Sequence, residues 1–248
     1  MAHVQELPGN LEKIANDANH GLERYLFASA TCEMVASGRL AVLPPCHFLK
    51  LMTVDVEPLL EEVARLPKEA WLHNSRHTLT VQRETRSVEL FRRVPSCVSN
   101  KHNQYTRRCE TIGQFPRLMH VLDDFASTTG NGSLQLARIV RLKPHGQVYP
   151  HFDSGLYYLI RDRYHLVLHS PSGSRMQCED QISIWHAGQV WWFNNHVVHQ
   201  AFNDGDQERI HVIFDVLPHR NAPLVSQLQN YAATLEDSAK NQAKRRGR

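Results

Sequence analysis

The sequence predicts a mainly β chain with flanking helices, an α+β fold whose strands form a barrel or jelly roll. Two observations carry this. From Leu134 onward the chain breaks into short apolar runs separated by Gly, Pro, Asn and Asp, spaced closely enough for successive antiparallel strands. Helical spacing is confined to the segments on either side. At 248 residues, 42% hydrophobic and 21% charged, the chain has ordinary globular composition and the length to bury a full core.

Taken in order, Leu11, Ile14, Leu22, Leu26 and Met34 repeat at loose helical spacing over 9–38, a helical cap stopped by Pro44-Pro45. His47 to Leu51 reads as a short strand. Asp55, followed by Glu57, Pro58 and the apolar set Leu59, Leu60, Val63 and Leu66, reads as a capped amphipathic helix. From His77 to Val94 apolar and polar residues alternate; a polar, Arg-rich loop follows, and Pro116 to Phe125 returns to helical spacing. The expected strands of the β-rich part are Leu136 to Leu142, Tyr164 to Leu168, Gln181 to Trp185, Gln189 to Phe193 and Ile210 to Val216. Leu224, Leu228, Tyr231 and Leu235 predict a terminal helix over 222–239.

Charge and cysteine usage exclude several classes. The net charge is only +3, and the basic residues are scattered except in Lys244-Arg245-Arg246-Gly247-Arg248, so a dedicated nucleic-acid binder is not expected and that tail reads as a solvated, disordered end. Cys32, Cys46, Cys97, Cys109 and Cys178 are odd in number without CxxC spacing, which signals neither a disulfide framework nor a zinc site. No apolar run approaches the ~18 residues of a membrane span, and the first residues lack the order of a signal peptide; the expected setting is the reducing cytoplasm.

The chemistry is expected where the histidines crowd. His151-Phe152-Asp153 places two metal-ligating types two residues apart, on one side of an extended backbone. His199 lies 46 residues beyond Asp153 and completes a 2-His-1-carboxylate set, which leaves open positions on iron(II) for a cosubstrate and O2. Arg209, ten residues after His199 and across an Asn203-Asp204-Gly205 turn, is expected on an adjacent antiparallel strand facing the same cavity, where its planar fork suits a dicarboxylate.

Through Pro150-His151-Phe152-Asp153, Arg163-Tyr164-His165-Leu166, Trp185-His186-Ala187-Gly188, Phe193-Asn194-Asn195, His199, Asn203 and Arg209, the segment from about Arg138 to His219 resembles the aspartyl/asparaginyl β-hydroxylase family of 2-oxoglutarate-dependent oxygenases. The resemblance implies a double-stranded β-helix of cupin-like form, Fe(II) on His151 and His199, 2-oxoglutarate on Arg209, and Arg163 and His165 helping to hold its carboxylates. Some members have Gly where this chain has Asp153, while resembling free-amino-acid hydroxylases keep the acid. The family's acidic pair after the Phe stands here as Asn194-Asn195.

The resulting expectation is a dioxygenase hydroxylating a C–H of an amino acid, free, peptidyl or carrier-bound, with release of succinate and CO2. Desaturation or another oxidation of a natural-product or nucleotide-like substrate, and a non-catalytic cupin-like metal module, remain open. Residues 1–130 are expected to pack on the core and shape the substrate pocket, 131–220 to form the catalytic core, and 221–248 the terminal helix and basic tail. Arg76, Arg83 and Arg86 are candidates to receive a substrate carboxylate or phosphate, and Asn103 a substrate amide; the alternative for each is a solvated strand face or an ordinary loop. Trp191-Trp192-Phe193 reads first as core, and His186, His196 and His211 as structural histidines.

Overall fold

The computed structural model describes residues 46–72, 79–96, 98 and 102–246; the helical pattern over 9–38 and Arg76 lie outside them. Eleven strands form among the described residues: β1 (Phe48–Thr53), β2 (Thr85–Arg93), β3 (Thr106–Arg108), β4 (Gly132–Leu142), β5 (Gly146–His151), β6 (Asp162–His169), β7 (Ser174–Cys178), β8 (Gln181–Ser183), β9 (Gln189–Phe193), β10 (His199–Asn203) and β11 (Arg209–Pro218). Helices α1 (Glu57–Ala64), α2 (Pro116–Ser127) and α3 (Leu224–Arg246) flank them.

The strands pair in two antiparallel sheets, one in the order β1-β9-β6-β11-β4-β2-β3 and the other β5-β10-β7-β8. From β4 to β11 the chain winds between them, with β4, β6, β9 and β11 in the large sheet and β5, β7, β8 and β10 in the small one. That interleaving is a double-stranded β-helix. Strands β1, β2 and β3, all from before residue 131, are hydrogen-bonded into the same large sheet, so sheet and core run across the boundary expected there.

Alternation along the strands sets which side chains meet. Leu142, Val148, Val167, Met176, Trp185, Phe193 and Ala201 fill the space between the sheets. The other face of the large sheet carries Val88, Leu90, Ile139, Leu166, Val212 and Phe214 against α1 and α2. Leu118 and Leu122 of α2 are wholly buried there, and cutting either to Ala costs about 2–5 kcal/mol. Helix α2 starts at Pro116, which has no amide proton to satisfy, and its next amides, Arg117 and Leu118, donate to the buried Glu62 carboxylate of α1 at 2.8 and 3.0 Å. Asp55 accepts the Glu57 amide at 3.1 Å from just outside α1, but the N-cap position is Val56 and makes no side-chain cap, so the capping expected from Asp55 is shifted by one residue. Before β9, Gly188 adopts φ +86° with its position against β1's exit: a Cβ would lie 2.6 Å from the Val54 carbonyl.

Among the boundaries that differ from expectation, two have a plain physical reason. Strand β8 ends at Ser183, because Trp185 leaves the ladder to be buried, its indole Nε1 donating to Ser183 Oγ at 2.9 Å. Helix α3 continues beyond 239 to Arg246, so Lys244, Arg245 and Arg246 are helical rather than a disordered tail. The reason is composition: from Leu224 the chain has no Gly or Pro until Gly247, and the last turns are rich in Ala, Lys, Gln and Arg. Leu224, Leu228 and Ala232 of α3 pack on Leu156, Leu159, Ile160 and Leu217.

Candidate active site

His151 closes β5 and His199 opens β10, directly opposite it in the small sheet. Each imidazole is held by its own strand: Nδ1 of His151 lies 2.7 Å from the Tyr149 carbonyl, and Nδ1 of His199 lies 2.9 Å from the Val197 carbonyl. A carbonyl only accepts, so each Nδ1 carries the proton and each Nε2 keeps its lone pair. Asp153 follows just after β5, its amide donating to the Asn195 carbonyl at 2.9 Å. One donor atom from each of the three residues lies within 4.8 Å of the others.

The charge states suit metal binding. Burial pushes His199 down to about 4, against the pull of Asp153, so it is a neutral imidazole at ordinary pH. Burial opposes the charge on Asp153, but the Arg163 guanidinium, the two imidazoles and the Asn195 amide together hold its carboxyl well below the usual range. Two imidazole nitrogens and one carboxylate oxygen on one side of a cavity fit a divalent metal that keeps open positions.

The same cavity is lined by Arg209, His211 and Ile213 of β11, Arg163 and His165 of β6, Met176 of β7, and Phe193. His199 and Arg209 reach it from different sheets, not from adjacent strands. The turn between them is a crossover: the Asn203 side-chain amide donates to the carbonyls of Leu142, Lys143 and Gln207 at 3.3, 3.0 and 2.8 Å. Those bonds bind the β4–β5 and β10–β11 turns together where both pass between the sheets.

Arg209 is 6% exposed and has no ion-pair partner among the described residues. Its Nε donates to His211 Nε2 at 3.0 Å, and an amino group sits 3.0 Å from the Met176 sulfur. Burial pushes the guanidinium down to about 9, still the cation at neutral pH. Burial, then Arg209 and His165, push His211 well below the ordinary imidazole value, so it is the neutral acceptor Arg209 needs. His165 Nδ1 lies 3.2 Å from His211 Nδ1. A buried guanidinium leaning on an imidazole and a thioether is a strong site for an anion.

Arg163, expected on the cosubstrate, donates to carboxylates of the protein. Its Nε and one amino group grip Asp215 at 2.7 and 2.9 Å, and the other amino group reaches Asp153 Oδ2 at 2.7 Å. Asn195 Nδ2 donates to the same Asp153 oxygen at 3.1 Å.

Of the substrate candidates among the described residues, Arg83, Arg86 and Asn103 do not line this cavity. Arg83 is exposed, donating to the Thr80 carbonyl at 2.9 Å and stacked 3.8 Å over the Tyr149 ring, two residues from His151. Arg86 is exposed and paired in register with Arg141, whose side chain covers Trp71 on the helix-packed side of the large sheet. Asn103 is wholly buried, its amide donating to the Val94 carbonyl and its oxygen accepting the Tyr105 amide at 3.1 Å, so it closes its own loop. Gln82 and Thr85, not singled out in the sequence, line the cavity instead. Asp215 also escaped notice, although its signal was present: Arg209, His211, Ile213 and Asp215 alternate on the inward face of β11, where a buried acid requires a partner.

Residues 60–218 match the family model described as aspartyl/asparaginyl beta-hydroxylase. No curated protein matches the sequence. Among solved structures the chain is similar to an oxidoreductase of the 2OG-Fe(II) oxygenase family from Burkholderia pseudomallei, at 10% identity and TM-score 0.49 over 82% of this chain and 94% of that one. It is similar to the viral collagen prolyl hydroxylase of Paramecium Bursaria Chlorella virus-1 at 11% identity and TM-score 0.45, over 71% of this chain and 98% of that one. A cupin domain from Bordetella pertussis matches at 15% identity and TM-score 0.27, over 34% of this chain and 90% of its own length.

Proposed function

We propose, from the premise that this chain belongs to the aspartyl/asparaginyl β-hydroxylase family, that it is an Fe(II)- and 2-oxoglutarate-dependent dioxygenase hydroxylating a C–H bond of an amino acid, free, peptidyl or carrier-bound. One observation supports this reading above the rest: three metal donors and a buried guanidinium that has no counter-ion among the described residues line one cavity. A metal and a dicarboxylate together would satisfy both.

His151, Asp153 and His199 would hold the iron, which would couple the reduction of O2 to the oxidation of 2-oxoglutarate to succinate and CO2. One oxygen atom then ends in succinate and the other in the alcohol. In this reading Arg209 binds the far carboxylate of 2-oxoglutarate, with its fork steadied by His211. His165, 5% exposed on the cavity wall, would donate to a carboxylate there. Phe193 sets its edge against both His199 and His165, at 5.0 and 5.1 Å between centroids, and Trp185 stacks on His211; both exclude water from the polar groups. Asp153 also favours hydroxylation over halogenation, because it fills the position a halide would take.

Purified protein given iron(II), ascorbate and 2-oxoglutarate is expected to form succinate slowly without substrate, and His199→Ala to abolish it. Failure of the metal-loaded protein to bind 2-oxoglutarate in calorimetry would overturn the reading. With a true substrate, the product gains the mass of one oxygen.

A further inference from the structure

We propose that Arg163 and Asn195 are positioning residues that make Asp153 a one-oxygen metal ligand, and that an uncharged residue at 195 is what permits an acid at 153. The inference rests on the metal-site reading above and deepens it.

The geometry is a chain of fixed contacts. Asp215 is wholly buried at the inward face of β11 and grips Arg163 with both oxygens, at 2.7 and 2.9 Å. A planar fork held along one edge has its remaining amino group aimed, and that group meets Asp153 Oδ2 at 2.7 Å. Asn195 approaches the same oxygen from the other strand end, its Nδ2 at 3.1 Å, while its backbone carbonyl accepts the Asp153 amide at 2.9 Å. Both side-chain donors fall on Oδ2. Oδ1 is left as the oxygen offered to a metal beside His151 and His199.

Charge explains the residue at 195. Two carboxylates, Asp153 and Asp215, face one guanidinium, so the closed group keeps one negative charge for the metal. An acid at 195 would put a third carboxylate in contact with Oδ2, at a distance where like charges in a buried site cannot both stay ionised. An amide of the same shape instead donates. Arg163 thus serves the ligand, and the cosubstrate is left to Arg209 and His165.

Cobalt(II) is a suitable probe, since its visible absorption strengthens as its coordination number falls and no turnover is needed. Wild-type protein is expected to bind one cobalt ion. Asn195→Ala should weaken binding by about 10–100-fold, the usual loss when an outer partner of a ligand is removed. Arg163→Gln also removes a cation that repels metal, so its readout is the cobalt spectrum. Both effects should vanish in an Asp153→Ala background, where cobalt rests on the two histidines. Arg163→Gln leaves Asp215 unpaired; if that variant does not fold, Asn195→Ala carries the test by itself.

Effects that persist undiminished without Asp153 would overturn the proposal. So would a loss of 2-oxoglutarate affinity on Arg163→Gln in the cobalt-loaded Asp153→Ala protein, which would return Arg163 to the cosubstrate. Wild-type protein that binds no cobalt overturns the oxygenase reading and this inference with it.

Discussion

The two ends of the cavity treat buried charge in opposite ways. At the metal end, Arg163 is closed between two carboxylates with nearly every strong donor used. At the other, Arg209 is as deeply buried and, among the described residues, has an imidazole and a thioether but no carboxylate to lean on. The first arrangement is complete as protein and orders a ligand. The second would be completed by an anion from outside. The contrast separates what the fold keeps for itself from what it holds ready for a small molecule.

Replacing each arginine by methionine breaks the comparison most directly. Arg163→Met strands Asp153 and Asp215 without a cation and should destabilise the metal-free protein by about 3–5 kcal/mol in denaturant unfolding. Arg209→Met removes a buried cation that has no counter-ion among the described residues and should stabilise the same protein by about 1–4 kcal/mol, while ending the rise in melting temperature expected from added 2-oxoglutarate. Losses of equal sign would show that Arg209 has a protein counter-ion after all.

A pH series sharpens the metal end. Burial holds His196 and His199 down to about 4, below their ordinary 6.5, so the unfolded chain takes up protons that the folded one refuses. Stability of the metal-free protein should therefore fall as pH drops from about 6.5 to about 4 and level off below, as read by unfolding midpoints. His199→Gln should flatten part of that slope; an unchanged slope would place the titration elsewhere. The smallest effect belongs to His211. His211→Phe keeps the stacking on Trp185 but removes the acceptor of Arg209 Nε, and should weaken 2-oxoglutarate binding by about tenfold, near the lower value of a hydrogen bond to a charged group. Metal binding should not change.

The strands of the large sheet were legible because inward and outward residues alternate: β9 has the bounds expected, and β4, β6 and β11 extend theirs by a few residues at the ends, whereas β5, β7 and β10 of the small sheet were not among the expected strands. The metal donors were legible from spacing, His151 and Asp153 by their separation of two and His199 by the Phe-Asn-Asn run before it. Arg209 was found, but its sheet was not. An Asn-Asp-Gly turn reads as a hairpin, and only the long-range bonds of Asn203 to Leu142 and Lys143 make it a crossover. The contacts around Asp153 were illegible for a similar reason: alternation on β11 marks Asp215 as inward, but its grip on Arg163, and the approach of Asn195 to Asp153 from the β9–β10 connection, are contacts that no local spacing encodes. Asn103 misled because a buried loop amide and an exposed one look alike in sequence.

The imidazoles of His151 and His199 have their tautomers fixed by carbonyls two residues upstream, before any ion arrives. A donor set prepared this way asks little rearrangement of its guest and discriminates little by shape. Affinity for such nitrogen and oxygen donors rises from Fe(II) through Co(II) and Ni(II) to Cu(II). Which metal the protein carries is then decided by supply: grown or purified with zinc, nickel or copper in excess, it should come out filled with the competitor and silent toward oxygen.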